Sequence, residues 1–233
     1  MINTGDIREC LESERSTVFR LNYTKEQKYC FANFDIKKPG TYSHYGSVSE
    51  CNATDFLSDI GENSASSVAI LSTAIKQLAM EVCKGYNKKH AWIDVRITMR
   101  NKFFDIPRWH MDGLFFTSPE DRNQLQTKFI TSLRGPGTLM INATKAEKQE
   151  FNEFSRNATK MNHMGVEFRN KVNEIFKNRK VHQLKNNQGL IFIVGRDTAL
   201  VHSEPPKNEK RIFVSVLPGT EKQIAELKAR WKK

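Results

Sequence analysis

The sequence contains no hydrophobic run that approaches the roughly 18 residues needed by a membrane-spanning helix. Its first residues do not combine a basic segment with an apolar one, the combination that marks a secretory signal peptide. Internal repeats and low-complexity linkers are also absent, so the pattern indicates no second domain. We therefore expect one intracellular, cytoplasmic domain over residues 1–233.

Cysteine is scarce, and all four cysteines lie within the first 83 residues, at Cys10, Cys30, Cys51 and Cys83. No two of them have the Cys-x-x-Cys spacing that is typical of zinc sites and redox motifs. This usage favours reduced thiols over a disulfide framework.

Acidic residues are outnumbered, with 26 Asp and Glu against 37 Lys and Arg, which gives a net charge of +11. Such an excess favours an acidic partner or nucleic acid. Basic and acidic residues alternate closely at 145–150, however, which is equally typical of a solvated basic surface. Both interpretations remain open at this point. The hydrophobic fraction of 38% is typical of a globular protein with a sizeable core.

Apolar spacing predicts a series of strands between flanking helices. Residues 92–99 alternate apolar and polar side chains, as in a half-buried strand, and residues 65–86 have helical spacing. Further strands are predicted at 128–133, 138–142, 181–184, 189–194, 199–202 and 211–217. We expect an N-terminal helical support region at 1–90, a core at 92–219 with a helical insertion at 145–179, and a basic C-terminal helix at 220–233.

This order of elements predicts a mainly β protein with flanking helices (α+β), built as a double-stranded β-helix, that is, a cupin-like jelly roll. Such folds hold a ligand between their two sheets. The insertion at 145–179 has three interpretations: a lid over the site, a dimer face, or a structural pair of helices.

Residues 109–113 read WHMDG and place His110 two residues before Asp112, while His202 follows an apolar strand far downstream. Two imidazoles and one carboxylate can hold Fe(II) on one face and leave its other positions open for substrate and O2. The His-x-Asp pair alone would occur by chance in about one such chain in five. The alternative interpretation of this pair is an ordinary turn without a metal, and the alternative interpretation of His202 is a histidine with a structural role.

Arg211 lies nine residues after His202 and begins the last apolar strand. A guanidinium that faces the interior of a jelly roll requires an anion, and a carboxylate fits its planar fork with two hydrogen bonds. The alternative is an ion pair with Glu204 or Glu209, both nearby in the sequence.

Residues 109–113 and 188–219 resemble the two ends of the core of the Fe(II)/2-oxoglutarate-dependent dioxygenases, in a pattern similar to the phytanoyl-CoA-hydroxylase-like branch. The resemblance covers roughly residues 92–219. It implies that His110, Asp112 and His202 bind iron and that Arg211 holds the C5 carboxylate of 2-oxoglutarate.

Other positions are weaker candidates for contact with 2-oxoglutarate. Many members of the family have Ser two residues after the Arg, where this chain has Phe213, so Ser215 is the candidate for that contact. Lys128 and Thr131 lie on the strand that follows the first ligands and are further candidates. The nucleic-acid demethylase branch typically has a second Arg where this chain has Leu217, which argues against that branch.

The resemblance implies Fe(II), 2-oxoglutarate and O2 as cofactor and cosubstrates of a hydroxylase that releases succinate and CO2. Trp109, Phe115 and Phe116 are predicted to shape its substrate pocket, with core packing as the alternative for each. Two other classes fit the residues. One is a zinc-dependent hydrolase that uses the same His, Asp and His ligands. The other is a non-catalytic, basic jelly-roll protein that binds nucleic acid.

Overall fold

The computed structural model describes residues 4–101, 105–158, 165–195 and 198–231. Within them, nine strands form two antiparallel sheets. The strands are β1 (Thr17–Arg20), β2 (Gly40–Ser47), β3 (His90–Thr98), β4 (Thr127–Arg134), β5 (Leu139–Ile141), β6 (Val181–Gln183), β7 (Gln188–Ile193), β8 (Val201–Ser203) and β9 (Arg211–Gly219). The large sheet has the order β1-β7-β4-β9-β3-β2, and the small sheet has the order β6-β5-β8.

Seven helices flank the sheets in the described residues. They are α1 (Thr4–Ser13), α2 (Lys25–Asn33), α3 (Thr54–Ile60), α4 (Ala65–Gly85), α5 (Lys145–Asn157), α6 (Val166–Phe176) and α7 (Glu221–Trp231), with a short 3-10 turn at Val48–Glu50. The α4 helix begins where Ser64 accepts a hydrogen bond from the backbone N–H of Ser67, as its capping residue predicts. None of these helices is long and apolar enough to cross a membrane. The predicted class, mainly β with flanking helices, is confirmed.

The central strands β3 and β4 of the large sheet are buried on both faces. In β3, Ile93, Val95 and Ile97 pack with the N-terminal helices in one core. Trp92 faces the opposite side, where it packs with Leu217 of β9 in a second core. The polar side of β3, which the sequence suggested would face solvent, instead faces the space between the sheets.

The helical insertion covers the outer face of the small sheet. Phe151 of α5 and Phe168 of α6 belong to one buried cluster with Leu139, Ile141 and Val201 of the small sheet. The insertion therefore acts as a structural pair of helices in the residues that the structure describes. Residues 159–164, between α5 and α6, lie outside the described residues.

The helical support region expected at 1–90 also contains β1 and β2, which belong to the large sheet. Both are edge strands. β1 has only four residues, and β2 is partly exposed along most of its length. Neither segment therefore has the apolar alternation that identifies a half-buried strand, and edge strands commonly lack it.

Candidate metal centre and its cavity

His110, Asp112 and His202 converge in the structure. The segment before β4 pairs with β8 at a single bridge, where the backbone N–H groups of His110 and His202 donate to each other's carbonyls at 2.9 and 3.0 Å. The two Nε2 atoms lie 3.7 and 3.8 Å from Oδ1 of Asp112. One potential ligand atom from each residue lies within 4.8 Å of the others. The three side chains could therefore share one metal ion.

The backbone fixes the orientation of both imidazoles. Nδ1 of His110 is 2.8 Å from the carbonyl of Arg108, and Nδ1 of His202 is 3.1 Å from the carbonyl of Leu200. A hydrogen on Nδ1 that donates to a carbonyl leaves the lone pair on Nε2 for a metal. The same two Nε2 atoms are the ones that face Asp112.

The charge states also suit a metal ion. Burial opposes ionisation of Asp112, but Nζ of Lys128, 3.2 Å from its Oδ2, and the two imidazoles hold the pKa of the carboxyl well below its usual range. Burial, together with repulsion from His110, lowers the pKa of His202 to about 4. At neutral pH the cluster offers a carboxylate and a neutral, buried imidazole, the forms that bind divalent metals.

The three residues line a cavity of about 460 Å³ between the two sheets. This volume lies within the range of small-molecule sites. The inward side chains of β3, β4 and β9 form much of its wall, and none of the described residues of α5 or α6 reaches it. The lid interpretation of the insertion is therefore not supported by the described residues.

Arg211 lines the same cavity and is 5% exposed. Its Nε donates to Oγ of Ser132 at 3.2 Å and to the carbonyl of Pro136 at 2.9 Å, and its Nη2 donates to Oγ1 of Thr138 at 3.1 Å. Burial lowers its pKa to about 10, so the guanidinium stays charged at neutral pH. Within the part of the chain that the structure describes, no carboxylate forms an ion pair with it.

Glu204, one of the two alternative partners of Arg211, pairs with Arg108 instead. Nη2 and Nε of Arg108 lie 2.6 and 3.2 Å from the two carboxylate oxygens. Burial disfavours the charged carboxylate, but nearby His110 and the bonds from Arg108 lower the pKa of Glu204 to about 2. Because Arg108 lies two residues before His110 and Glu204 two after His202, this ion pair joins the two segments that carry the imidazoles.

The three weaker candidates for cosubstrate contact have different positions. Lys128 lines the cavity beside Asp112. Thr131 is a correction: it lies three positions after Lys128, faces the other side of β4, and donates to the carbonyl of Gln188. Ser215 lies on the cavity side of β9 but is not among the residues that line the cavity.

Of the three aromatic residues that were predicted to shape the substrate pocket, only one lines the cavity. Phe115 lines the cavity. Trp109 does not, and its Nε1 donates to Asn173 of α6 at 2.7 Å within the core of the insertion. Phe116 also lies outside the cavity, in the core that includes Ile224 of α7. Trp109 and Phe116 are thus corrected to core residues, because neighbours in an extended segment point in opposite directions.

Sequence reasoning missed several residues of the cavity wall. Ile130 shares the face of Lys128, so the two-residue period of β4 would have identified it. Trp92 also lines the cavity, because it shares the polar side of β3 with Arg96 and Thr98, the side that a half-buried strand would turn to solvent. Trp231 reaches the cavity from the end of α7, a contact between distant parts of the chain that has no local signal in the sequence.

No protein-family model and no curated protein matches the chain in sequence. Solved structures do match. The Kdo hydroxylase KdoO, a non-haem Fe(II) 2-oxoglutarate-dependent dioxygenase solved with succinate and Fe(III), is 9% identical, with 97% of this chain and 87% of that chain covered at a TM-score of 0.50. A prolyl-4-hydroxylase from Pseudomonas putida is 9% identical, with 94% and 99% covered at a TM-score of 0.43. The dioxygenase for auxin oxidation from Arabidopsis thaliana is 12% identical, with 92% and 86% covered at a TM-score of 0.40.

At this level of identity, the likeness concerns the fold. The chain has the jelly-roll fold of the Kdo hydroxylase over nearly its whole length. This agrees with the double-stranded β-helix that the order of strands predicts.

Proposed function

We propose that the chain is a non-haem Fe(II)- and 2-oxoglutarate-dependent oxygenase that hydroxylates an organic substrate. One observation carries the proposal: His110, Asp112 and His202 lie together on the wall of the cavity that Arg211 also lines. Arg211 is a buried cation that pairs with no described carboxylate. When bound, iron and 2-oxoglutarate supply the activation of O2 that oxidises the substrate, with succinate and CO2 as products.

His110, Asp112 and His202 would hold the metal. The hydrogen bonds from Nδ1 orient the two imidazoles, and Lys128 neutralises the outer oxygen of Asp112. Such supporting contacts commonly matter for metal affinity by about 10- to 100-fold. Nitrogen and carboxylate ligands in this 2:1 ratio are typical of non-haem Fe(II) sites.

Arg211 would bind the distal carboxylate of 2-oxoglutarate. The bonds to Ser132, Pro136 and Thr138 hold the guanidinium in place and leave Nη1 without an acceptor in the described residues. Two parallel N–H groups match the two oxygens of a carboxylate. The hydroxyl of Thr138 is close enough to take part in the same contact.

The direct test is succinate formation by the full-length chain, prepared anaerobically, given Fe(II) and 2-oxoglutarate, and then exposed to O2. We expect succinate even without the second substrate, through slow uncoupled turnover. His110→Ala and Asp112→Ala should reduce it at least about 100-fold, because each removes a ligand of the metal. Matched controls are His182→Ala and Asp59→Asn, since both residues are exposed and do not line the cavity.

The outcomes separate the competing classes. A zinc-dependent hydrolase would bind metal through the same three ligands but form no succinate with iron. A basic nucleic-acid-binding protein would keep its function in His110→Ala and Asp112→Ala and lose affinity with rising salt. Absence of both succinate and 2-oxoglutarate binding would refute the proposal.

A further inference from the structure

The wall of the cavity has more cationic than acidic side chains. Among the described residues, the cationic ones that line it are Arg96, Arg108, Lys128, Lys207 and Arg211. The acidic ones are Asp112, Glu204 and Glu209. Asp112 is paired with Lys128, Glu204 is paired with Arg108, and Glu209 is exposed. The surplus of positive charge therefore lies with the other three cations, of which Arg211 is the proposed partner of 2-oxoglutarate.

Arg96 is fixed on one side and accessible on the other. Its Nε donates to Oδ2 of Asp94 at 2.6 Å, and buried Asp94 also accepts a hydrogen bond from Oγ of Ser43 at 2.9 Å. The side chain of Arg96 is 42% exposed, and its Nη1 and Nη2 have no acceptor among the residues that the structure describes. A guanidinium that is held through Nε keeps these two nitrogens for a ligand, and their parallel N–H groups match the two oxygens of a carboxylate.

Lys207 is a second cation on the same wall, in the segment between β8 and β9. The backbone N–H of Asn101 donates to the carbonyl of Lys207 at 2.7 Å, which joins this segment to the residues that follow β3. Burial lowers the pKa of Lys207, and so do the nearby guanidinium groups, that of Arg96 among them, although Glu204 opposes the shift. The cations therefore repel one another, and a bound anion relieves that repulsion.

The charge balance of the cavity requires one more anion. With Asp94 behind Arg96, the described groups comprise five cationic side chains and four carboxylates. A divalent metal and doubly charged 2-oxoglutarate cancel each other when both are bound. One positive charge then remains, and the carboxylate of one further molecule balances it.

Arg96 and Arg211 serve different sides of β9. The guanidinium of Arg211 bonds to Ser132 of β4 and to Pro136 and Thr138, which follow β4. Arg96 lies on β3, and β9 lies between β3 and β4 in the large sheet. Two carboxylates can therefore bind in the cavity, one on each side of β9.

A molecule held at Arg96 can reach the metal-binding side chains. Trp92 lies on the same side of β3, four residues before Arg96 and thus roughly 13 Å along the strand. Nζ of Lys128 lies 5.3 Å from the Trp92 ring centroid and 3.2 Å from Oδ2 of Asp112. A carbon chain that starts from a carboxylate at Arg96 can therefore extend along the cavity toward the metal centre.

We propose that Arg96, assisted by Lys207, binds a carboxylate of the substrate, so that the cavity takes an organic acid in addition to 2-oxoglutarate. The carboxylate lies at Arg96, and the carbon chain of the acid lies toward the metal-binding side chains. The statement that this acid is oxidised rests on the proposed function. Its binding at Arg96 is measurable without turnover.

Hexanoate and hexanamide are the probes, because the amide replaces the carboxylate with a neutral group of the same size. Each is titrated anaerobically into the full-length chain, with and without Mn(II) and saturating 2-oxoglutarate. Calorimetry gives the affinities, and the NMR relaxation of the probe's protons by Mn(II) gives the position. We expect hexanoate to bind at least about fivefold more tightly than hexanamide in both conditions. Its methyl protons should relax faster than the protons next to the carboxylate.

A double variant, Asp94→Asn with Arg96→Gln, removes the guanidinium without leaving a buried carboxylate unpaired and keeps the net charge of the chain. It should reduce the preference for hexanoate to about twofold or less. The matched control is Glu147→Gln with Arg179→Gln, which neutralises an ion pair with the same 2.6 Å distance from Nε to oxygen outside the cavity. This control should keep the full preference.

Single variants test the two cations separately. Arg96→Lys keeps a charge beside Asp94 but lacks the planar fork, so it should lower the preference about threefold, and it replaces the double variant if that variant does not fold. Lys207→Gln should lower the preference about twofold or more. Lys210→Gln, in the same segment but not on the cavity wall, should leave it unchanged. Circular dichroism shows whether each variant is folded.

Equal affinities for the two probes, or an unchanged preference in the folded double variant, would overturn the subsite. Faster relaxation of the protons next to the carboxylate would also overturn it, because the carboxylate would then lie at the metal. A rise in the Kd for 2-oxoglutarate as large as that in Arg211→Ala would assign Arg96 to the cosubstrate instead. Selective hexanoate binding without any succinate formation would reject the proposed function alone, whereas succinate formation without selective binding would reject the subsite alone.

Discussion

Arg211→Lys is the sharpest test of how the cavity recognises a dicarboxylate. The guanidinium has five N–H groups, and its hydrogen bonds to described residues use Nε and one N–H of Nη2. A lysine keeps the positive charge but provides one ammonium group instead of a planar fork. One of two bonds to the carboxylate is therefore lost. A hydrogen bond to a charged group contributes about 1.5–3 kcal/mol, and about 1.4 kcal/mol corresponds to a tenfold change in affinity.

We therefore expect Arg211→Lys to raise the Kd for 2-oxoglutarate by about 10- to 150-fold, and Arg211→Ala to raise it further. The measurement is anaerobic calorimetric titration of 2-oxoglutarate into the protein with Mn(II). Arg179→Lys is the matched control, because Arg179 forms an ion pair with Glu147 at 2.6 Å outside the cavity. If folded Arg211→Lys binds 2-oxoglutarate with a Kd within about twofold of that of the unchanged chain, Arg211 is not the partner of the carboxylate.

Three further predictions concern the support of the site and the core. Gly195 has φ +71°, and its backbone N–H donates to the backbone carbonyl of Asp112 at 2.7 Å. Gly195→Ala should therefore lower the free energy of unfolding by about 1–3 kcal/mol and weaken the binding of Co(II). Unchanged unfolding in urea would contradict this prediction. Trp109→Phe should leave the side-chain oxygen of Asn173 without its donor and lower stability by about 1–3 kcal/mol, whereas a changed Kd for 2-oxoglutarate would contradict its placement in the core. Burial raises the pKa of Cys83 from 9.0 to about 12. Above about pH 9 the unfolded chain therefore loses this thiol proton while the folded chain keeps it. The free energy of unfolding should fall as the pH rises from about 9 toward 12. Between about pH 8 and pH 10.5, the free energy of unfolding measured in urea should fall less in Cys83→Ala than in the unchanged chain. An equal fall in both would refute Cys83 as its cause.

Elements with a strong local pattern were predictable from the sequence. The helix at 65–86 and the strand at 92–99 agree with α4 and β3 to within two residues, because capping, helical spacing and alternation are set by neighbouring residues. The edge strands β1 and β2 lack such a pattern, since an edge strand that is partly exposed on both faces has no need of alternation.

The grouping of the candidate site was predictable to a similar extent. His110, Asp112 and His202 converge as the motif order implies, and Arg211 lines the same cavity. The errors have one physical origin. Lys128 and Thr131 cannot both face the cavity, because side chains three positions apart on a strand point to opposite faces. Trp109 beside His110 is the same error in an extended segment.

Contacts made by distant segments could not be predicted, and part of the cavity wall depends on them. Trp231 reaches Trp92 only because α7 packs against the large sheet, where Ile224 and Leu227 are buried. Lys128 is already paired with Asp112, whereas Arg211 has no described carboxylate partner. A dicarboxylate therefore finds its complementary cation at Arg211, with the three metal-binding side chains on the wall of the same cavity.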